Sequence, residues 1–521
     1  MTSFYGEYRE KDIISDEEEN RVSRANVDKW IFRLLLILIG FMPLIVLAHT
    51  KEVISPLISD VSVLTSGTKG DLFTYYKSLI VLTITVITGL LLLAKIFFMG
   101  GKIRKTILNY FLGAFAFAIV MSTILSPNIS IALSGQYNRS DGAISWLCYI
   151  ALMFIAMNIN YPKRAVSYVM YTLMPFVFIN LFIITMNFIG NDLMQNTWMQ
   201  KVVTVFLPQG TNLAENSQLV GTLNQWNYMS GMFAIMTVMF LTWAIVGKSW
   251  LQSLPGLITA SVSLAIMFMS ISTSGFLTVL VIMPLLIWVI LKMENKIKGS
   301  ILLLMFIVIN IPIYNILAEK DARIWDESFG FIISNNPYID EESLSLKNLN
   351  KEFPFINRVY ASDNSFELPI LPESSISSGS GRTYIWGKTM ELLKDRPMFG
   401  YGLDSLMYNF PHYNIDARAG LGTETIITDK PHNTYVGILY GTGPLGFVVI
   451  IAILIYIVLA VLNTLFKKEN IQYIIFGLAS VAYFVQSMFN DSLPGISAIA
   501  WIFIGVMIAL TNYEKENTTS N

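Results

Sequence analysis

The chain reads as an all-α integral membrane protein with about twelve transmembrane helices and one large extracytoplasmic loop that contains short helices. Three observations lead there. Of 521 residues, 54% are hydrophobic and only 14% are charged, whereas soluble domains carry roughly a quarter of charged residues. Apolar runs of roughly twenty residues, the length that crosses ~30 Å of hydrocarbon, recur along the chain. Lysine and arginine then gather on alternate sides of those runs, as insertion with the positive side inward requires.

Taken in order, residues 1–29 are charged and precede the first apolar run, so they read as a cytoplasmic tail and not as a cleavable signal peptide. Nine spans are expected within 30–318, centred on 30–49, 79–99, 107–126, 143–159, 165–189, 226–246, 254–272, 275–292 and 300–318. Only Thr273 and Ser274 separate the seventh from the eighth, which leaves a tight hairpin and one broken helix both open. Residues 319–432 form the large extracytoplasmic loop, 433–511 hold three more spans (435–463, 471–489, 494–511), and 512–521 are a second cytoplasmic tail. With the N-terminus inside, the short outer loops hold only Lys51, Lys69, Lys77, Arg139 and Lys201, while clusters such as Lys102, Arg104, Lys105 and Lys292, Lys296, Lys298 fall inside. Both termini are thus expected on the cytoplasmic side of the membrane.

Several function classes are disfavoured at this level. A net charge of -1 gives no global field to recruit nucleic acid, and a single cysteine, Cys148, permits no internal disulfide. Three histidines, none spaced i to i+4 from another, make a zinc site poor, so no metal is expected. No GxxxxGK[ST] loop supports nucleotide hydrolysis, and no G-x-S-x-G elbow is present; SSGSG at 377–381 has the letters without the spacing. The spans lack Asp and Glu near their centres, which weakens the alternative of a twelve-span polysaccharide or small-molecule transporter or flippase.

Polar chemistry collects at 377–446. A Ser/Gly lead at 377–381 precedes an amphipathic helix over 382–395, with Trp386, Met390 and Leu393 on one stripe. Pro397 stops it, Gly400 and Gly402 make a tight turn, and Pro431-His432-Asn433 leads into the next span. Arginine offers a fixed fork of donors to phosphate oxygens, and histidine can take a proton from a hydroxyl. That pair suits displacement of a lipid pyrophosphate by a sugar hydroxyl. The residues alone leave each role open: His432 reads as a base or as a helix cap, Arg382 as a phosphate ligand or a surface helix start. Arg139 reads as an anion contact oriented by Asp141 or as a loop anchor, and Trp386 as a packing residue or a sugar platform. His412 and His49 read as structural contacts.

Four stretches in this order resemble the O-antigen ligase and polymerase superfamily of bacterial membrane glycosyltransferases: SGQYNRSDG at 134–142, GTLNQWNYMSGM at 221–232, GRTYIWGKTMELLKDRPMFGYGLDSL at 381–406 and PHNTYVGILYGTGPLG at 431–446. The resemblance covers roughly 130–450. It implies a multi-helical C-type glycosyltransferase fold, an undecaprenyl-pyrophosphate-linked glycan donor, and metal-independent, inverting transfer without a cofactor on the outer face of the bacterial cytoplasmic membrane. The acceptor it implies is a glycan, lipid or wall polymer, and ligase and polymerase activities are not separated. On matched positions it makes His432 the base and Arg382 and Arg139 phosphate ligands, with Asn433 and Asn227 supporting the site and Arg396 and Trp386 on the substrate. One departure stands out: ISTSGFLT at 271–278 has no arginine where many members carry one, so Lys430, Arg396 or Arg418 would have to supply that contact.

Overall fold

The computed structural model describes residues 3–57, 64–208, 219–333, 335–339, 382–412, 427–467 and 473–518. The expected lead at 377–381 and Arg418 lie outside them. Among the described residues, nine helices are long and apolar enough to cross a membrane. The chain begins with α1 (Ser3–Phe41), followed by α2 (Tyr75–Phe98), α3 (Ile107–Ile124), the short α4 (Ile129–Ser134), α5 (Ala143–Met157), α6 (Ala165–Phe188) and α7 (Thr197–Val203). Next come α8 (Trp226–Val246), α9 (Trp250–Met269), α10 (Thr273–Lys292), α11 (Lys296–Lys320) and α12 (Arg323–Asp326). The remaining helices are α13 (Arg382–Leu393), α14 (Leu406–Asn409), α15 (Thr434–Lys467), α16 (Ile474–Gln486) and α17 (Pro494–Thr518).

Three expected spans take a different form. The span at 30–49 is the end of the 39-residue α1, which stops at Phe41 because Met42–Leu44 turns into a 3-10 helix with proline at its start. His49–Val53 then pairs antiparallel with Gly67–Asp71 in a two-stranded sheet. The spans at 143–159 and 471–489 are short helices, α5 with 15 residues and α16 with 13. At ~1.5 Å per residue each is shorter than the hydrocarbon thickness. The doubtful joint resolves as two helices: Ser270 closes α9, Ile271 takes a left-handed φ of 42°, and Glu327 accepts from the Thr273 N–H at 3.1 Å at the start of α10.

Burial separates a core from a lipid-facing shell. α8 is buried over nearly its whole length, and so is the apolar part of α17, whereas about a third or less of the α2, α11 and α15 spans is buried. α8 packs against α9, α10 and α16, while α17 packs against α5. With no difference in apolarity between lipid and a neighbouring helix, close backbone approach drives such contacts. Gly256 provides one: a Cβ there would meet Phe240 O and Ala244 N at 3.0 Å.

α15 is two helices in line, 434–442 and 444–467, joined at Gly443 (φ 68°, ψ -177°) before Pro444. In an unbroken helix the Tyr440 carbonyl would accept from residue 444, and proline has no N–H to give. The 400–402 turn supplies the replacement: Tyr401 N donates to Tyr440 O at 3.0 Å and Gly402 N to Gly441 O at 2.9 Å. Gly400 (φ 64°) abuts the Tyr440 carbonyl, where no side chain fits. The 400–402 segment is thereby fastened to the break in the helix that follows the Pro431-His432-Asn433 corner.

Candidate functional site

Pro431-His432-Asn433 is held by the loop between α16 and α17. Thr434 donates through its N–H to Ser487 O (2.9 Å) and Asn490 O (3.0 Å), and through its hydroxyl to Asn490 O (2.8 Å). The Asn433 carboxamide oxygen accepts from the N–H groups of Tyr435 (2.9 Å) and Val436 (3.1 Å), so Asn433, and not His432, caps α15. His432 is left in the left-handed region, φ 52°.

The His432 ring is half-buried, and its Nδ1 faces Asp491 Oδ2 at 3.5 Å. Neither atom has a hydrogen bond within the described residues. Burial pushes the imidazole pKa down; Asp491 opposes that, and Lys430 beside it adds to it. The net direction is below the usual histidine value, so the ring is neutral near pH 7. Lys430 is buried, donates to the Tyr228 hydroxyl at 2.8 Å and lies 3.9 Å from Asp491.

Arg382 opens α13 and donates to Phe489 O at 3.1 Å, two residues before Asp491. Its charge is near enough to His432 to depress the imidazole pKa. One helical turn later the Trp386 indole N–H donates to Pro431 O at 2.7 Å and fixes the residue before the histidine. The buried side of α13 is Ile385 and Thr389, an i, i+4 pair, while the expected stripe of Trp386, Met390 and Leu393 is only half-buried.

Arg139 sits in a different setting. It is 3% exposed; Nε donates to Asp404 Oδ1 at 2.7 Å, one terminal nitrogen to Asp429 Oδ2 at 2.6 Å and the other to the Asp429 carbonyl at 3.2 Å. Burial alone would push the Asp429 carboxyl up, but Arg139 and Lys430 hold it below the usual range. Asp141 does not orient Arg139. It accepts from Ser492 Oγ (2.9 Å) and Tyr149 Oη (3.3 Å), and burial raises its pKa well above the usual value. A cavity of about 50 Å³ lies among Arg139, Asp404, Asp429, Lys430 and Asp491.

The other expected positions fall around this centre in different ways. Asn227, near the start of α8, meets it through its backbone carbonyl, which accepts from Asn490 Nδ2 at 3.1 Å. Arg396 is at the Tyr401 turn, where it donates to Leu125 O at 2.6 Å and lies 5.2 Å over the Tyr401 ring. His412 bonds the Met407 carbonyl through Nε2 at 2.8 Å, and His49 stacks on Tyr75 at 3.5 Å. Asp404, Asp429, Asp491, Asn490 and Tyr228 were not singled out from the sequence. Of these Asp491 had a signal: it is the one carboxylate in the short turn between the last two apolar runs.

Residues 258–451 match the family model described as O-Antigen ligase. That segment includes Arg382, Lys430, His432 and Asn433 but stops before Asp491. No curated protein matches the chain. The family match over residues 258–451, together with a bundle of membrane-length helices, supports an assignment of this integral membrane protein to the O-antigen ligase/polymerase superfamily.

Proposed function

We propose that this membrane glycosyltransferase moves a glycan from an undecaprenyl-pyrophosphate donor to a hydroxyl acceptor, with His432 as the general base. The observation that carries the reading is the His432 corner: a neutral imidazole facing Asp491 at 3.5 Å, with Arg382 beside it. In the reaction, the acceptor hydroxyl gives its proton to the imidazole while its oxygen bonds to the anomeric carbon. The bond from that carbon to the pyrophosphate oxygen breaks, the sugar inverts, and the lipid pyrophosphate leaves with the electron pair. Asp491 stabilises the imidazolium that forms, and a separation of 3.5 Å is one that closes when the acceptor arrives.

Arg382 has donors beyond the one carbonyl it meets among the described residues and holds the leaving pyrophosphate. Lys430 adds a buried positive charge next to the base and takes over the contact that 271–278 lacks. Arg139, whose three nitrogens all bond Asp404 or Asp429, acts by positioning the segment that leads from Asp429 to His432. The reaction runs on the outer face of the bacterial cytoplasmic membrane, with no metal.

The test is purified protein in lipid, given a lipid-linked repeat unit, with and without EDTA. A ladder of products identifies a polymerase, and one-step transfer to an added acceptor a ligase; either should persist in EDTA. Neither product would turn the reading towards transport. His432→Ala should insert normally and lose transfer by at least about 10²–10⁴-fold, the usual contribution of a general base; an active His432→Ala enzyme would overturn the assignment.

A further inference from the structure

A second, much larger cavity of about 1330 Å³ opens between α1, the 99–106 segment and the turn after α5. It and the His432 corner lie at the two ends of α5: Asp141 precedes that helix and Asn158 follows it, ~22 Å apart for 15 residues. The floor of the cavity is tied down by buried polar groups. Lys95 Nζ donates to Asp28 Oδ1 at 2.6 Å and to Asn158 O at 3.0 Å, and Asp28 also accepts from the Asn160 N–H at 3.1 Å. Arg104 donates to Ile159 O at 3.0 Å and Asn160 Oδ1 at 2.9 Å. Three chain segments are therefore fixed around one space.

The rim is cationic. Lys29, Lys102 and Lys105 are exposed and form no salt bridge or hydrogen bond among the described residues. Arg21 pairs with Glu18, and Arg24 pairs with Glu17 while its other terminal nitrogen donates to Met99 O at 2.7 Å; the carboxylates Glu17 and Glu18 are themselves 69% and 57% exposed. Ion pairs at such exposure contribute little, so an incoming anion can exchange with them. Insertion with the positive side inward accounts for cations in this loop, but it does not require them to converge on a cavity with a preorganised floor. Among the described residues, the cations of the lining outnumber its carboxylates, Glu17 and Asp28.

We propose that this cavity is a binding site for a phosphate-bearing anion, separate from the His432 corner. Its lysines take phosphate oxygens as point charges and Arg24 takes them with its fork. The phosphate can come from an anionic lipid headgroup or from a soluble phosphate compound, and the acidic run at 16–20 is the internal counter-charge that the ligand displaces.

The experiment uses the full chain in nanodiscs of phosphatidylcholine alone or mixed equally with phosphatidylglycerol, comparing wild type, Lys102→Glu/Lys105→Glu and a charge-matched control, Lys248→Glu/Lys296→Glu. Native mass spectrometry reads retained phosphatidylglycerol, and calorimetry in the phosphatidylcholine discs reads inorganic pyrophosphate binding. Retention of phosphatidylglycerol that only the 102/105 variant loses identifies a lipid headgroup. Pyrophosphate binding that the same variant weakens by about tenfold or more, and that falls with added salt, identifies a soluble ligand. The proposal is overturned if wild type binds neither probe, or if the 102/105 variant matches wild type or the control.

Discussion

Arg139 and Arg382 occupy two regions of one site, and the chain treats them in opposite ways. Arg139 is enclosed, with Asp404, Asp429 and the Asp429 carbonyl on its three nitrogens. Arg382 is half-buried and, among the described residues, makes one hydrogen bond, to a backbone carbonyl. Full pairing of a buried charge fixes geometry, because losing a partner strands the other charge. Partial pairing next to His432 Nδ1 and Asp491 Oδ2, both without hydrogen bonds among the described residues, leaves capacity for a substrate. With His432 as the proposed base, the contrast assigns one arginine to scaffold and the other to chemistry although the residue type is the same.

The largest expected effect tests the scaffold side. Arg139→Ala should destabilise the protein by about 3–5 kcal/mol, because Asp404 and Asp429 lose their shared partner; the readout is Tm in detergent or lipid. An unchanged Tm with abolished donor binding would move Arg139 to the chemical side and break the comparison. Next, Arg382→Lys should keep Tm yet lower kcat/KM by about 10²-fold, since an ammonium cannot reproduce the planar fork. Near-normal donor binding in that variant would remove Arg382 from the pyrophosphate.

A smaller and more specific effect concerns Asp491. Its carboxylate raises the His432 pKa against burial, so Asp491→Asn should lower that pKa further. Base catalysis needs the neutral ring, so the acidic limb of the kcat/KM profile should move to lower pH while the plateau falls. A limb that does not move would mean Asp491 acts only in packing. Least of all, Trp386→Phe should cost about 0.5–1.5 kcal/mol through the lost bond to Pro431 O, seen as a modest rise in KM.

Long apolar runs made most of the fold legible. The helices Ile107–Ile124, Ala165–Phe188, Trp226–Val246 and Thr273–Lys292 follow the expected spans to within a few residues. What the sequence hid was where an apolar run stops being helix. Residues 42–49 are apolar but leave α1 through Pro43 towards a strand, and hydropathy does not tell those states apart. The Gly443-Pro444 pair was a visible breaker inside 435–463, yet the partner that makes the break stable, the 400–402 turn, is forty residues away. In the site, His432, Arg382 and Trp386 were legible because they lie within one polar stretch. The acidic partners of Arg139 were not: Asp404 and Asp429 are 265 and 290 positions downstream, and such long-range pairing leaves no local pattern.

Ser140, Asp404 and His432 share one property: each has a left-handed backbone, at φ of 53°, 57° and 52°. Side chains other than glycine pay roughly 1–2 kcal/mol at such a position. A thermostability screen blind to activity would therefore favour glycine at 140 and 432 but not at 404, where Asp404 holds the buried Arg139, and at 432 it would remove the proposed base from a protein that outlasts its parent. Engineering this chain for durability means selecting on turnover and melting together, with those three positions held fixed.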